Sequence, residues 1–177
     1  MRNLLAFDLG ASNGRAIWGR LEDGKLTMQE LHRFENNYVE MNGVFYWDTP
    51  YLYNNLKKGL MAFKQGGYGD LDSFGIDTWG VDYGLLDKNG HLAGVPRSYR
   101  LGTQEDIDAV KEIIPADTLY ARSGIDTTLT FNTLYQLYRR KRESDPALEI
   151  ADTWLGTEFS HNERHQRRID KVMALEG

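Results

Sequence analysis

Cysteine is absent from the 177 residues of this chain, which excludes disulfide bonds, cysteine-ligated zinc and a thiol nucleophile. No apolar run is long enough to span a membrane, and the N-terminus, MRNLLAFDLG, becomes acidic too early for a secretion signal. Positively charged residues are outnumbered by negatively charged ones: the chain has 21 Lys and Arg and 26 Asp and Glu, which gives a formal net charge of −5. Because nucleic-acid-binding domains are usually basic, we expect a soluble, cytoplasmic protein that binds neither nucleic acid nor a membrane.

What the sequence does contain is typical of a folded α/β protein. Hydrophobic residues make up 41% of it, with 7 Phe, 10 Tyr and 4 Trp, which is enough for a packed core in one domain or slightly more. Residues 4–9, the two halves around Asp23-Gly24 and residues 42–48 predict strands joined by short turns. A helix is predicted after Asp48, with a buried face at helical spacing formed by Leu52, Leu56, Leu60 and Phe63. Strand, helix and strand in this order predict an α/β fold.

The stretch FDLGASNGRA, residues 7–16, places a carboxylate at the end of the first strand and small residues after it. A lone carboxylate there can hold Mg²⁺ directly or through water, and a loop of small residues leaves backbone N–H groups bare for phosphate oxygens. The candidate metal and nucleotide residues are Asp8, Gly10, Ala11, Ser12, Asn13, Gly14 and Arg15. The alternative is an ordinary hairpin turn with a surface acid, in which glycine serves geometry alone. The Gly-Lys-Ser/Thr ending of a Walker loop is absent.

A second stretch, GIDTWGVDYGLL at residues 75–86, again takes a strand into polar residues and glycine. Asp77 and Asp82 flank Trp79 and Gly80, so acids, an aromatic face and bare backbone occur together. An indole ring stacks against the apolar side of a sugar, while carboxylate and backbone groups hydrogen-bond its hydroxyls. The alternative is a strand pair with Trp79 in the core and both acids in solvent.

The second half of the chain is predicted to be helical, with helices that stop before Pro115 and Pro146. The basic residues 139–142 are interpreted as a solvated face near a helix C-terminus rather than as a nucleic-acid site. His161 and His165 have a metal-binding spacing, but no third ligand accompanies them. We therefore expect residues 156–177 to be a polar tail without a metal site.

Together these segments resemble the FGGY family of carbohydrate kinases. DLGASNGR is similar to the family's first phosphate motif, GIDTWGVDYGLLD to its sugar-contacting strand, and HRFENN, NGVFYWD and RSGIDTTLTFNTLYQL to further family segments. The resemblance covers residues 2 to about 155. It implies an actin-like, ribonuclease H-like ATPase fold, with a mixed sheet and flanking helices, in which two domains close over ATP and sugar. Residues 1–155 are then expected to be part of the N-terminal kinase domain, and residues 156–177 a tail unlike the family.

The resemblance also implies a reaction and a set of roles. The branch of the family with these motifs transfers the γ-phosphoryl group of MgATP to the 1-hydroxyl of L-rhamnulose or a related ketose. Residues 11–15 are implied to line the phosphates, with Asp8 acting on the metal. The implied sugar-binding residues are Gly80, with Trp79, Asp77, Asp82 and Arg100. The family's general-base aspartate belongs to the C-terminal domain, so we expect no catalytic base here and little or no activity from the chain alone.

One departure from the family concerns the sugar site. Tyr99 and Arg100 are retained, but Leu101 stands where the family has aspartate, which replaces a hydrogen-bond acceptor with an apolar side chain. Two other functions stay open at this stage. One is a non-catalytic module that binds nucleotide or sugar, and the other is an actin-like ATPase that drives motion. The acid-and-tryptophan pattern around residue 79 disfavours the latter, because a filament former needs no sugar site.

Overall fold

The computed structural model describes residues 1–144, in which six strands and four α-helices follow one another. The strands are β1 (Arg2–Leu9), β2 (Asn13–Glu22), β3 (Lys25–Glu35), β4 (Tyr38–Met41), β5 (Val44–Trp47) and β6 (Ser73–Thr78). The α-helices are α1 (Thr49–Gln65), α2 (Gln104–Lys111), α3 (Ala116–Ser123) and α4 (Thr133–Arg142), and a short 3-10 helix spans Tyr99–Leu101. The predicted tail and its two histidines lie outside the described residues. Within residues 1–144, no helix is long and apolar enough to cross a membrane.

The main sheet has the strand order β3-β2-β1-β6. Its first three strands form antiparallel hairpins, whereas β6 runs parallel to β1. The predicted turn between β2 and β3 is confirmed, since Asp23 and Gly24 both have positive φ angles, 49° and 75°, as tight hairpins require. The prediction of a mixed sheet with flanking helices is therefore confirmed. A separate hairpin is formed by β4 and β5.

Helix α1 begins where the sequence predicts, because the Asp48 side chain accepts a hydrogen bond from the Tyr51 N–H at 2.9 Å. Its buried face was predicted only in part. Phe63 is buried, but the other fully buried positions are Asn55 and Gly59, and Leu60 is exposed. Leu56 packs against the apolar core and Leu52 is half-buried, so the predicted face was correct except at Leu60. The helix is turned so that Gly59, rather than Leu60, meets the sheet.

Close packing at Gly59 explains this orientation. A Cβ atom on Gly59 would lie 2.6 Å from a ring carbon of Phe7 and 2.7 Å from Cβ of Ala16. The helix backbone therefore lies directly on the sheet, where a larger residue would force the two apart. Leu5, Phe7, Ala16 and Phe63 form the core that this contact closes.

A second apolar cluster joins α2 to α4 through Ile107, Val110 and Tyr135. The basic residues of α4 were predicted to be solvated, but two of them are not. Arg140 is buried, and the Arg139 side chain is 13% exposed and pairs with Asp106. The prediction was wrong for Arg139 because it pairs with the buried Asp106 carboxylate on α2. It was also wrong for Arg140, whose guanidinium lies 5.8 Å from the centroid of the Tyr83 ring. Burial alone raises the pKa of Asp106, but hydrogen bonds from Arg139 and Thr103 outweigh it, so this pKa lies below the ordinary aspartate range.

Candidate functional site

Three charged residues lie in line across the end of the sheet. Asp8 is opposite Arg15 in the β1–β2 pair and opposite Asp77 in the β1–β6 pair. Asp8 and Arg15 form an ion pair with side chains 42% and 38% exposed, and Asp77 is exposed. Parallel strands end at the same edge of a sheet, so the C-terminal ends of β1 and β6 bring two carboxylates and one guanidinium to this edge.

The connection from β1 to β2 is shorter than predicted. Only residues 10–12 form the loop, because β2 already begins at Asn13. The Gly10 N–H donates to the Asn13 carbonyl at 2.8 Å. Buried Asn36 donates its N–H to the Ser12 carbonyl at 3.0 Å and its side-chain amide to the Gly10 carbonyl at 2.7 Å. The carbonyl groups of Gly10 and Ser12 are thus held by hydrogen bonds. The backbone N–H groups of Ala11 and Ser12, in contrast, donate to no acceptor within residues 1–144.

Gly14 has a different role in the structure from the bare loop residue that was predicted. It lies within β2, and a Cβ atom there would collide with the ring of Phe34 on β3. The missing side chain therefore makes room for a buried aromatic ring. The hairpin turn and the phosphate loop, set out as alternatives from the sequence, are both compatible with this geometry, because a tight hairpin can still present free N–H groups.

After β6 the chain passes through residues 79–82, here called the 79–82 bend. The Asp82 carboxylate holds this bend by accepting hydrogen bonds from Trp79 Nε1 at 2.6 Å, from Trp47 Nε1 at 2.7 Å and from the Tyr99 N–H at 2.7 Å. Burial raises the pKa of Asp82, and these hydrogen bonds and the nearby Arg100 offset only part of the rise. Both carboxylate oxygens are occupied by donors of the protein, so Asp82 joins three segments of the chain.

The surroundings of the other predicted sugar residues differ. Trp79 is half-buried, with its ring centroid 4.6 Å from that of Trp47, so it is neither a core residue nor fully exposed. No atom would lie within 4 Å of a Cβ on Gly80, so its backbone is uncovered. The Arg100 guanidinium lies over the rings of Tyr38 and Tyr99, at 5.3 and 5.6 Å from their centroids, which is the geometry of a cation–π contact.

Val81 is the strained residue of the bend. Its φ angle is 70°, in a left-handed region that a β-branched side chain rarely adopts. Residues held in such conformations cost on the order of 1–3 kcal/mol and concentrate at functional sites. From α4, Gln136 Nε2 donates to the Val81 carbonyl at 2.8 Å and to the Phe131 carbonyl at 2.8 Å.

One surface cavity of about 240 Å³ is shared by Ala11 of the predicted nucleotide residues and by Trp79 and Gly80 of the predicted sugar residues. Its lining residues are Ala11, Trp79, Gly80, Val81, Tyr99 and Phe131. Sequence reasoning missed the contributions of Phe131 and Gln136, whose only signal was their place in the segment FNTLYQL. Leu101 is not among the lining residues; it lines a separate small pocket with Arg139. Among residues 1–144, no cluster of three or more acidic or histidine side chains is suited to hold a metal ion.

The comparison with curated proteins finds rhamnulokinases. The chain is 42% identical to the rhamnulokinase of Ligilactobacillus salivarius over 144 residues, which cover 81% of this chain and 29% of the relative. It is 43% identical to that of Klebsiella pneumoniae over 151 residues, covering 84% of this chain and 30% of the relative. The chain thus spans about 30% of the length of these relatives. No protein-family model matches it.

Solved structures give the same fold at low sequence identity. The xylulose kinase of Lactobacillus acidophilus superposes with a TM-score of 0.70 at 11% identity, over 85% of this chain and 30% of that one. The glycerol kinase of Plasmodium falciparum, solved with ADP, gives a TM-score of 0.63 at 14% identity, over 86% of this chain and 31% of that one. These neighbours have the actin-like ATPase fold, so the predicted fold class is confirmed.

Proposed function

The chain belongs to the FGGY carbohydrate kinases as a homologue of rhamnulokinases, and on this premise we propose that it forms one wall of a site that phosphorylates a ketose. The proposed reaction transfers the γ-phosphoryl group of MgATP to the 1-hydroxyl of L-rhamnulose. The observation that carries this proposal is the shared cavity, because Ala11 of the 10–12 loop and the sugar-type residues Trp79 and Gly80 line the same space. Phosphoryl transfer requires this proximity, since its catalysis consists mostly of positioning and charge stabilisation.

The residues at the nucleotide side fit a metal-bound triphosphate. The uncovered N–H groups of Ala11 and Ser12 are donors of the kind that bind phosphate oxygens, and Arg15 adds a positive charge beside them. Mg²⁺ is usually held by one or two carboxylates together with substrate phosphates and water, so Asp8, with Asp77 next to it, suffices without a larger acidic cluster. When bound, MgATP supplies the phosphoryl group.

At the sugar side, we propose that the Trp79 ring and the Gly80 backbone contact the ketose. Asp82 supports this arrangement indirectly, because both of its oxygens already accept hydrogen bonds from the protein. Its role is to orient the Trp79 indole rather than to bind a sugar hydroxyl. Leu101 lines a separate pocket, so the change from the family's aspartate is expected to affect sugar affinity less than its place in the motif suggests.

The general base is proposed to lie outside residues 1–144. Within the described part of the chain, Asp8 and Asp77 are assigned to the metal, and Asp82 is engaged by three donors. A single wall of a cleft also leaves the phosphoryl group open to water, which a closed site excludes. We therefore expect the chain alone to bind ligands weakly and to turn over little or no substrate.

The test is ADP release in a coupled assay with L-rhamnulose, using the chain alone and the chain mixed with a fragment that supplies the remaining length of a homologous rhamnulokinase. Activity that appears only with the added fragment supports the proposal, and Asp8→Asn should abolish it. Robust turnover by the chain alone contradicts the expected inactivity. Sugar binding without turnover in either mixture favours the non-catalytic module instead.

A further inference from the structure

The strain at Val81 makes the 79–82 bend a segment that a contact from outside it can hold in place. Val81 has a φ angle of 70°, which sterically disfavours a β-branched residue, so the isolated segment is expected to leave this conformation. Gly80 precedes Val81, and both line the cavity with Trp79. Rotation of the backbone at Val81 would therefore move the uncovered Gly80 backbone and the Trp79 ring away from their present positions.

Gln136 is well suited to supply that contact. Its side-chain amide nitrogen carries two hydrogens, and Nε2 lies 2.8 Å from the Val81 carbonyl and 2.8 Å from the Phe131 carbonyl. Only a donor satisfies two carbonyl oxygens at once, so a carboxylate of the same length cannot replace it. The neighbouring Tyr135 is buried and donates its hydroxyl to the Thr127 carbonyl at 2.8 Å, so Gln136 projects from a firmly packed helix.

We propose that Gln136 is a positioning residue: by tying Val81 and Phe131 to α4, it holds the strained bend so that Gly80 and Trp79 remain at the cavity. The structural part of this inference is independent of the ligand. Its consequence for sugar binding rests on the proposed function.

The structural part is tested by NMR on the ¹⁵N-labelled tryptophan side chains, with the Trp79 indole assigned through a Trp79→Phe variant. Gln136→Leu should accelerate hydrogen exchange at the Trp79 indole about tenfold, because two hydrogen bonds of modest net strength are lost. Adding Val81→Gly should reverse most of this, since glycine adopts a positive φ without strain. The control is Gln29→Leu, at an exposed position on β3, which should leave the exchange rate unchanged.

Unchanged exchange in Gln136→Leu overturns the proposal, and so does acceleration that Val81→Gly fails to reverse, because Gln136 would then act only on the stability of α4. If Gln136→Leu does not fold, the decision passes to Gln136→Glu, which keeps the side-chain length and must show the same acceleration. Calorimetry with L-rhamnulose adds the functional readout, with affinity expected to fall about tenfold in parallel. If the wild-type chain binds no sugar either alone or with the added fragment, the proposed function fails, while the exchange measurement still decides the role of Gln136.

Discussion

Replacing Asp82 by alanine should destabilise the fold by about 2–4 kcal/mol. The carboxylate accepts three hydrogen bonds, two from indole groups and one from the Tyr99 N–H. Trp47 is only 1% exposed, so its N–H loses its partner with no water to replace it, which costs about 1–3 kcal/mol. Trp79 is half-buried, so its N–H can bond to water instead and part of that hydrogen-bond energy is recovered. Removing the carboxylate also removes the cost of burying its charge, which lowers the net loss of stability. The expected loss is a large fraction of a typical stability of about 5–15 kcal/mol.

Urea unfolding followed by circular dichroism measures this loss. Tryptophan emission sums over the 4 Trp residues of the chain, so a change caused by Asp82→Ala but not by the control variant reports on the indoles that Asp82 holds. Asp70→Ala is the matched control, because Asp70 is exposed and its carboxylate accepts no hydrogen bond from the described residues. That variant should stay within about 0.5 kcal/mol of the wild type. A loss below about 1 kcal/mol in Asp82→Ala, with unchanged tryptophan emission, would refute the reasoning that Asp82 holds the bend.

The remaining predictions concern packing, binding and pH. Gly59→Ala should cost about 1–3 kcal/mol by forcing α1 away from Phe7, whereas Gly75→Ala, with no atom within 4 Å of the new Cβ, should show no clash in the same urea titration. Asp8→Asn should remove the Mg²⁺-dependent part of ADP affinity in calorimetry and leave the melting temperature nearly unchanged, because its half-exposed ion pair contributes about 0–1 kcal/mol. Asp106 has a lowered pKa, so its stabilisation is present above the ordinary aspartate range and is lost as pH falls through the lowered value. Asp106→Asn should therefore flatten the acid side of the stability profile, and an unchanged acid limb would contradict this.

The pattern of the sequence was sufficient for much of the fold because the signals involved are local. The Asp23-Gly24 turn and the cap at Asp48 are both determined by a few neighbouring residues, and both appear in the structure. The orientation of α1 is not local: it depends on which small residue meets the sheet, and Gly59 rather than Leu60 takes that position. A helical repeat in the sequence indicates that one face of the helix is apolar. It does not show which small residue lets the helix backbone approach the sheet most closely.

In the candidate site, too, local features were predictable from the sequence and long-range contacts were not. The sequence separately singled out the segments around Ala11 and Trp79, and the parallel pairing of β1 with β6 places them at one edge. The contacts of Asp82 with Tyr99 and Trp47, and the contact from Gln136 to Val81, were not predictable, because they join residues 17 to 55 positions apart. Contacts over such separations are set by tertiary packing, for which a single sequence carries no direct signal.

The central claim is that the 10–12 loop binds a metal-bound triphosphate beside a sugar site at the 79–82 bend. An NMR titration of the ¹⁵N-labelled chain with a non-hydrolysable MgATP analogue, and separately with L-rhamnulose, tests it most directly. The account predicts that the analogue shifts the amide resonances of Ala11 and Ser12, and that the sugar shifts those of Gly80 and the Trp79 indole. Shifts confined to another region, such as the apolar groove lined by Val39, Met41 and Val95, with Ala11 and Gly80 unaffected, would contradict it.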